Sequence, residues 1–181
     1  MPTIGQTLDF IRTAHAGQTD RIGVPYWRHP LAVMLLLPPS ADEDTMHAAL
    51  LHDVLEDTAM THNDLLSAGY SDKTIDAVVA VTAARTRLPG EPYVEWVRAI
   101  GRHESEAAVM VKYADLRHNL DLGRLMLLEP EERARKQRRY GDAQRALYDE
   151  ARQRFPAFRE WVGLPPVADV CTSESAVKAA A

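Results

Sequence analysis

Residues 50–58 read Leu-Leu-His-Asp-Val-Leu-Glu-Asp-Thr and hold the densest group of chemically active side chains in the sequence. On a helix, Glu56 follows His52 by four residues and Asp53 by three. Asp57 follows Asp53 by four, so all four side chains share one surface. Three carboxylates beside an imidazole repel one another, and burying them is costly unless a divalent cation supplies the opposite charge. The stretch therefore predicts either a metal site at the end of an apolar helix or a solvated acidic helix end.

Most of the chain repeats apolar side chains at helical spacing. Capping and breaking residues divide this pattern into predicted helices over 8–16, about 30–37, 42–53, 61–69, 71–81, 93–100, about 105–122 and from 130 to about 151, with a last compact piece over 155–164. The N-caps are expected at Asp42, Thr61 and Ser71. We therefore expect one all-α domain, a single helical bundle over residues 1–164. A disordered tail is expected over 165–181, where small and polar side chains bury too little apolar area to offset the entropy of ordering.

Length and composition limit the classes of protein. A chain of 181 residues with 46% hydrophobic and 26% charged residues fits one globular domain, and its net charge of −5 disfavours nucleic acid as a partner. The longest apolar stretch, residues 31–37, is far shorter than the roughly 20 residues that cross a bilayer, and no secretory signal is recognised. The single cysteine, Cys171, can form neither an internal disulfide nor a thiolate metal cage, so we expect a cytoplasmic protein whose metal ligands are His and carboxylates.

Two further segments carry side chains that fit the same chemistry. His29 is followed by a proline, which restricts its backbone. Asp115 lies in the predicted seventh helix with Lys112 three residues before it and Asn119 four after it, a polar stripe on an apolar segment. Taken singly, His29 fits a structural histidine, and Asp115 fits an ion pair with Lys112 or Arg117. Taken together with the cluster of residues 50–58, they predict one site.

The order His29, His52-Asp53, Asp115 resembles that of the HD-domain metal-dependent phosphohydrolases. Longer matches are similar to the hydrolase half of the RelA/SpoT alarmone enzymes and to the stand-alone small alarmone hydrolases. These matches are Ala-His-Ala-Gly-Gln at 14–18, Pro-Tyr-x-x-His-Pro at 25–30, Ala-Ala-Leu-Leu-His-Asp-Val-Leu-Glu-Asp-Thr at 48–58, and Lys-x-Ala-Asp at 112–115 followed by His118 and Asn119. The resemblance spans about residues 7–150.

The resemblance implies an all-α HD-domain bundle and a Mn2+ ion with four ligands, His29, His52, Asp53 and Asp115. Two imidazoles and two carboxylates leave positions free on an octahedral ion for water and a phosphate oxygen. The resemblance also implies two catalytic carboxylates. Glu56 is expected to orient or deprotonate the attacking water, and Asp57 to assist proton transfer to the leaving oxygen.

Substrate contacts are predicted for Arg21, Lys112, Asn119, Lys136 and Tyr140. Lys136 and Tyr140 share one face of the long charged helix, whose arginine-rich start fits either a solvated face or a phosphate-attracting rim. Structural roles are expected for the other histidines and for the tryptophans: His15, His47, His62, His103, His118, Trp27, Trp96 and Trp161.

Two departures from the family pattern concern the substrate. The long alarmone hydrolases usually have Arg-Lys-Ser where this chain has Asp20, Arg21 and Ile22, so one basic contact is kept and one is reversed in sign. The family's Asn-Met-Arg-Thr becomes Asn-Leu-Asp-Leu at 119–122, which loses an arginine and a hydroxyl that can meet phosphates. Guanine and adenine both stay open as the base of the substrate.

The sequence therefore favours a Mn2+-dependent hydrolase that removes the 3′-pyrophosphate of (p)ppGpp or (p)ppApp. One alternative is a phosphomonoesterase on the same metal site, acting on the 2′-phosphate of NADPH or on nucleoside monophosphates. Another is a non-catalytic HD module that senses an alarmone, which the presence of both Glu56 and Asp57 argues against. The expected partner is a phosphorylated nucleotide, with neither nucleic acid nor membrane, and a homo-oligomer stays open.

Overall fold

A computed structural model describes residues 1–163, and every regular element among them is an α-helix. The helices are α1 Ile4–Ala14, α2 Arg28–Leu35, α3 Glu43–Leu51, α4 Val54–Asp57, α5 His62–Ser67, α6 Asp72–Val81, α7 Ala83–Thr86, α8 Tyr93–His103, α9 Glu106–Asn119, α10 Leu122–Leu125, α11 Pro130–Arg154 and α12 Pro156–Val162. The prediction of an all-α fold is confirmed. None of these helices is both long and apolar enough to pass through a bilayer. The predicted tail over 165–181 lies outside the described residues.

The helix starts follow the capping chemistry of the sequence. The side chains of Asp42, Thr61 and Ser71 each accept a hydrogen bond from the backbone N–H three residues later, which confirms the three predicted N-caps. Ser105 caps α9 in the same way. The segment that follows Ser71 is helical despite its β-branched residues, as predicted.

The predicted third helix is shorter than expected. α3 ends at Leu51, residues 52 and 53 form a turn, and α4 begins at Val54. The ring of His52 donates from Nδ1 to the carbonyl oxygen of Ala49 at 2.8 Å, a local bond that competes with continuation of the helix. The prediction of one helix through Asp53 is therefore wrong.

Other boundaries also differ from the predicted ones. The second helix begins at Arg28 and ends at Leu35, two residues earlier at each end than predicted. The four-residue helices α4, α7 and α10 were not predicted, because one turn is too short to show a periodic pattern. The last piece is helical only over Pro156–Val162.

Two clusters of buried apolar residues share helix α9. The first lies among α1, α2, α3, α6 and α9 and includes Val111, and the second lies among α8, α9, α11 and α12 and includes Leu116. All ten residues from 107 to 116 are buried, so α9 is covered on every side. Lys112 and Asp115 are among those ten, and ionised groups are buried in this way only when they are paired or bind a cation.

Helices α8 and α11 approach closely at Gly101. A Cβ atom at this position would lie 2.9 Å from Glu150 Cβ and 3.0 Å from the carbonyl oxygen of Leu147. Gly141, inside α11, has open space where its Cβ would be. Glycine is therefore required by packing at position 101 but not at position 141.

Gly101→Ala should lower the free energy of unfolding by about 1 to 3 kcal/mol, because α8 and α11 have to separate to admit the methyl group. Gly141→Ala is the matched control and should raise it by about 0.5 to 1 kcal/mol, since alanine restricts the unfolded chain and favours the helix. Urea denaturation followed by circular dichroism measures both. Equal effects from the two substitutions would contradict close packing at position 101.

Candidate metal centre and active site

A cavity of about 370 Å3 lies over the C-terminal half of α9 and is walled by α2, α4, α7, α8, α10 and α11 and by the loop that precedes α2. Every side chain predicted for the site, except His52, lines this cavity. His52 lies beneath its floor and is 3% exposed. Residues from distant parts of the sequence therefore meet in one place, as the motifs predicted.

Four predicted metal ligands converge at the floor of the cavity. His29, His52 and Asp115 offer ligand atoms that lie within 4.8 Å of one another. Asp53 Oδ2 lies 3.4 Å from His29 Nε2 and 3.1 Å from His52 Nε2. Asp115 Oδ1 lies 3.3 Å from His29 Nε2 and 3.8 Å from His52 Nε2. Two ring nitrogens and the Asp115 oxygen thus surround one point, and Asp53 Oδ2 lies beside both nitrogens.

The hydrogen bonds of His52 test whether a cation fits this point. Because Nδ1 donates to the Ala49 carbonyl, the lone pair of the neutral ring is on Nε2. That atom is buried and has no hydrogen-bond partner among the described residues, yet it faces the carboxylates of Asp53 and Asp115. Burial alone would lower the pKa of His52, but Asp53 and Asp115 raise it to about 9, so this point attracts a positive charge, either a proton or a cation. Imidazole with carboxylate is a common donor set for divalent transition ions. The residues therefore fit a metal ion.

Asp115 is held in place by its own helix. Lys112 Nζ donates to Asp115 Oδ2 at 2.9 Å, and Asn119 Nδ2 donates to Oδ1 at 2.6 Å. Burial alone would lower the pKa of Lys112, but Asp115 raises it above its usual value, so the ammonium group stays charged. Burial alone would raise the pKa of Asp115, but Lys112 and His29 hold it well below its usual value. The predicted polar stripe thus orients the carboxylate of a predicted ligand, and the ion pair between Lys112 and Asp115 is confirmed.

Tyr26 joins a predicted ligand to a predicted catalytic carboxylate, a contact that the sequence did not indicate. Its hydroxyl lies 2.7 Å from Asp53 Oδ2 and 2.9 Å from Asp57 Oδ2. One hydroxyl proton serves one carboxylate at a time. Burial and the charge of Asp53 raise the pKa of Asp57, which favours a proton on that side chain.

Glu56 lies apart from the metal ligands. It is exposed on α4, and its Oε2 accepts a hydrogen bond from the backbone N–H of Ala83 at 2.9 Å, at the start of α7. It also lines the cavity. The break between α3 and α4 thus places Glu56 on a wall, while Asp57 stays close to Asp53 through Tyr26.

The Ala-His-Ala-Gly-Gln motif connects α1 to this carboxylate pair. Gln18 Nε2 donates to the carbonyl oxygen of Asp57 at 2.8 Å, and its Oε1 lies 2.8 Å from His15 Nδ1. The ring of His15 packs against Tyr26, with 4.9 Å between centroids. His15 is therefore structural, as predicted, and supports the loop that carries Tyr26.

The two family departures have structural explanations. Asp20 Oδ1 accepts from the backbone N–H groups of Ile22 and Val24, and its Oδ2 forms an ion pair with Arg124 at 3.0 Å. Asp121 caps α10 by accepting from the backbone N–H of Arg124 at 2.9 Å. The acidic residue in the loop is thus matched by a cation from α10, which the sequence analysis did not single out.

His118 was expected to be structural, and it is not among the side chains that converge on the metal position. It nevertheless touches a ligand, because its Nδ1 lies 2.6 Å from His29 Nδ1 and 2.7 Å from Arg124 Nη1. Of the other histidines, His47 is buried beside Thr7, while His62 and His103 are exposed. None of these three lines the cavity.

A rim of basic side chains surrounds the mouth of the cavity. Arg21 lies 3.3 Å from Glu132, and Lys136 is on the same wall, where burial and nearby Arg21 lower its pKa. Tyr140 lines the same wall. Of the arginine-rich start of α11, Lys136 and Arg139 line the cavity, whereas three arginines do not: Arg133, Arg135 and Arg138. One side of the start of α11 therefore belongs to the rim of the cavity, and the other side is a solvated face.

The tryptophans pack as predicted. Trp96 is 3% exposed and belongs to the second cluster, although one edge reaches the cavity and Lys112 Nζ lies 4.9 Å from its ring centroid. Trp27 and Trp161 are partly buried against the first cluster, and Trp161 also packs against the second.

An all-helical bundle with two histidines and two aspartates at one cavity defines the HD class of protein. The family profile described as HD domain matches residues 7–121, so the chain belongs to the HD domain family. The predicted resemblance to the RelA/SpoT enzymes is also confirmed. The bifunctional (p)ppGpp synthase/hydrolase SpoT of Escherichia coli K12 is 34% identical over 129 residues, which are 68% of this chain and 18% of SpoT. A probable GTP pyrophosphokinase of Mycobacterium leprae is 37% identical over 134 residues, 68% of this chain and 16% of that protein.

A solved structure has the same fold. It is that of a metazoan ortholog of SpoT, described as hydrolysing ppGpp and playing a role in starvation responses. The TM-score is 0.63 with 23% identity, and the match covers 91% of this chain and 98% of the other. The curated relatives are much longer than this chain, and the matched region spans less than a fifth of their length.

Tyr26→Phe should lower the free energy of unfolding of the metal-free protein by about 1 to 3 kcal/mol, since the partly buried carboxylate of Asp53 then loses its hydroxyl donor. Tyr148→Phe is the control, because Tyr148 is a partly buried ring of the second cluster. Urea denaturation in the presence of a chelator measures both variants. Equal losses would show that the Tyr26 hydroxyl does not stabilise Asp53.

Proposed function

We propose that this chain is a divalent-metal-dependent hydrolase that removes the 3′-pyrophosphate of an alarmone nucleotide, (p)ppGpp or (p)ppApp. The observation that carries the proposal is the convergence of His29, His52 and Asp115, whose ligand atoms lie within 4.8 Å of one another at the floor of a cavity. The same activity is named for curated relatives, among them a guanosine-3′,5′-bis(diphosphate) 3′-pyrophosphohydrolase of Escherichia coli O157:H7.

The metal ion would be held by His29, His52, Asp53 and Asp115, and Mn2+ is the proposed ion because two imidazoles and two carboxylates suit it. When bound, such an ion lowers the pKa of water and offsets the negative charge of a phosphate group. Around it, Lys112 and Asn119 hold the carboxylate of Asp115 in one orientation.

Asp57 and Glu56 are proposed to move the protons. The raised pKa of Asp57 suits a group that gives a proton to the leaving oxygen, and Tyr26 keeps that carboxyl group beside the metal ligands. Glu56 binds the Ala83 N–H through Oε2, so Oε1 is free of that bond and can accept a proton from, or orient, an attacking water. Each carboxylate lines the cavity without being placed among the four ligands.

The basic rim is proposed to bind the phosphates that are not cleaved. Arg21 and Lys136 line one wall, and both are cations that can donate to phosphate oxygens. Tyr140 lies near Lys136, with 5.9 Å from Nζ to the ring centroid, and offers an aromatic face for a nucleobase. Stacking of this kind accepts guanine or adenine, so both bases remain in the proposal.

A phosphomonoesterase on the same site is the second candidate. It is favoured by one observation, since Asp20 occupies a position where the family usually has a cation and is engaged with its own loop and Arg124. A nucleotide with two diphosphate groups therefore cannot make all the contacts that the family pattern implies, because the cation at position 20 is missing. This candidate releases orthophosphate from NADPH or nucleoside monophosphates instead of pyrophosphate. An alarmone-sensing module without catalysis would release neither product.

The proposed setting is the cytoplasm, with a phosphorylated nucleotide as the partner. The single cysteine fits a reducing compartment, and the net charge of −5 disfavours binding to nucleic acid or an anionic membrane surface. A homo-oligomer is compatible with these features.

The purified protein with Mn2+ should release pyrophosphate from ppGpp or ppApp, and Asp57→Asn should lower kcat by about 100-fold or more, because the amide cannot donate the proton. Asp149→Asn, an exposed substitution on α11, is the control and should leave kcat unchanged. Pyrophosphate and orthophosphate are assayed separately with ppGpp, ppApp, NADPH and nucleoside monophosphates. Orthophosphate release alone would establish the phosphomonoesterase, and nucleotide binding without turnover would establish the sensing module.

Arg21→Gln and Lys136→Gln should each raise KM by about 10-fold with a smaller change in kcat, since each removes a charged donor to a remote phosphate. Arg138→Gln lies on the same helix as Lys136 but away from the cavity, and should leave KM unchanged. Steady-state kinetics at constant ionic strength measures the three variants. A similar rise in KM for all three would indicate a general effect of charge rather than a phosphate contact.

A further inference from the structure

We propose that Arg124 is a positioning residue for the metal centre, acting through His118 on the ligand His29. The three side chains form a continuous chain of contacts, with 2.7 Å from Arg124 Nη1 to His118 Nδ1 and 2.6 Å from His118 Nδ1 to His29 Nδ1. This inference rests on the proposed role of His29 as a metal ligand.

The chemistry of arginine fixes the direction of these hydrogen bonds. A guanidinium group only donates, so Nδ1 of His118 has to be the acceptor. An imidazole nitrogen has one lone pair, so Nδ1 of His29 at 2.6 Å cannot present a second lone pair to it and has to carry a proton, which it donates to the acceptor shared with Arg124. The lone pair of the His29 ring is then on Nε2, the atom that faces Asp53 at 3.4 Å and Asp115 at 3.3 Å. Arg124 thus selects the form of His29 that can bind a metal ion.

Ring orientation is set by the same contacts. The rings of His29 and His118 are stacked, with 4.9 Å between centroids and an interplanar angle of 26°. Metal-binding histidines commonly use the second ring nitrogen to donate to a fixed acceptor, which holds the ring in the ligand geometry. His52 uses the carbonyl oxygen of Ala49 for this purpose, and His29 uses His118.

Arg124 is itself held by partners on two sides. Its Nη2 pairs with Asp20 Oδ2 at 3.0 Å, and its Nη1 also donates to the carbonyl oxygen of His118 at 3.2 Å. Asp20 in turn binds two backbone N–H groups of its own loop. The loop that carries Arg21 is therefore connected to a metal ligand through an ion pair, and the acidic residue that departs from the family pattern has a role in this connection.

The test is the Mn2+ affinity of Arg124→Met, measured from the free Mn2+ signal in electron paramagnetic resonance titrations. We expect the dissociation constant to rise by about 10- to 100-fold, the usual effect of removing a partner of a ligand histidine. Arg124 also lines the cavity, so Mn2+ binding to the substrate-free protein is the readout, not turnover. Arg138→Met removes an exposed arginine and should leave the affinity unchanged. An unchanged affinity for Arg124→Met would overturn the inference.

A double-mutant cycle shows whether Arg124 acts through His118. His118→Leu alone, Arg124→Met alone and the double variant should have similar Mn2+ affinities, because each breaks the same chain of contacts. Losses that add would show that Arg124 acts on the metal by its charge, which overturns the positioning role. Arg124→Lys keeps a donor and should recover part of the affinity.

Asp20→Asn removes the ion-pair partner of Arg124 without removing Arg124 itself. This variant replaces Arg124→Met in the test if circular dichroism shows that Arg124→Met does not fold. The asparagine oxygen can still accept from the loop N–H groups, while its amide group no longer pairs with the guanidinium. Weaker Mn2+ binding supports the inference, and wild-type affinity contradicts it.

His29→Ala separates this inference from the proposed function. If neither His29→Ala nor any other variant changes Mn2+ binding, the proposed metal centre is wrong. An effect of His29→Ala alone contradicts only the role of Arg124.

Discussion

The ion pair between Lys112 and Asp115 is the constraint on which the site depends. Both residues lie on α9, which is covered on every side, so a lone carboxylate there would carry a large desolvation penalty. Lys112 offsets the charge of one oxygen and Asn119 donates to the other, but Oδ1 still faces two histidine rings. A neutral apolar residue at 115 would pack more easily. An anion at the centre of the protein is accounted for by the candidate cation site that it forms with His29 and His52.

The surroundings of the four predicted ligands explain how the two departures from the family resemblance fit beside the predicted site. The reversed charge at Asp20 is matched by Arg124, which comes from a helix one turn long. The aspartate that replaces an arginine at 121 caps that same helix. The two substitutions are therefore parts of one local rearrangement. It places a positive charge on α10 beside the loop before α2, and the four predicted ligands stay at the floor of the cavity.

The all-α class, three of the helix caps and the gathering of the predicted site residues at one cavity follow from periodicity, capping chemistry and motifs. The break at His52 does not, because a bond between a ring and a carbonyl three residues earlier leaves no trace in apolar spacing. The parts played by Tyr26, His118 and Arg124 also could not be predicted. His118 meets a residue 89 positions away, and Arg124 meets one 104 positions away. Such pairs are determined by tertiary packing, which one sequence does not reveal.

The sharing of α9 by two apolar clusters has a mechanical consequence. His29 lies on α2 and His52 directly follows α3, and both helices belong to the first cluster. Helix α9, which carries Asp115, also forms part of the second. An ion at their meeting point would act as a cross-link that closes a loop of 85 residues between positions 29 and 115. Binding of the ion would then reduce the flexibility of the whole bundle, and the metal centre would hold the two apolar clusters together.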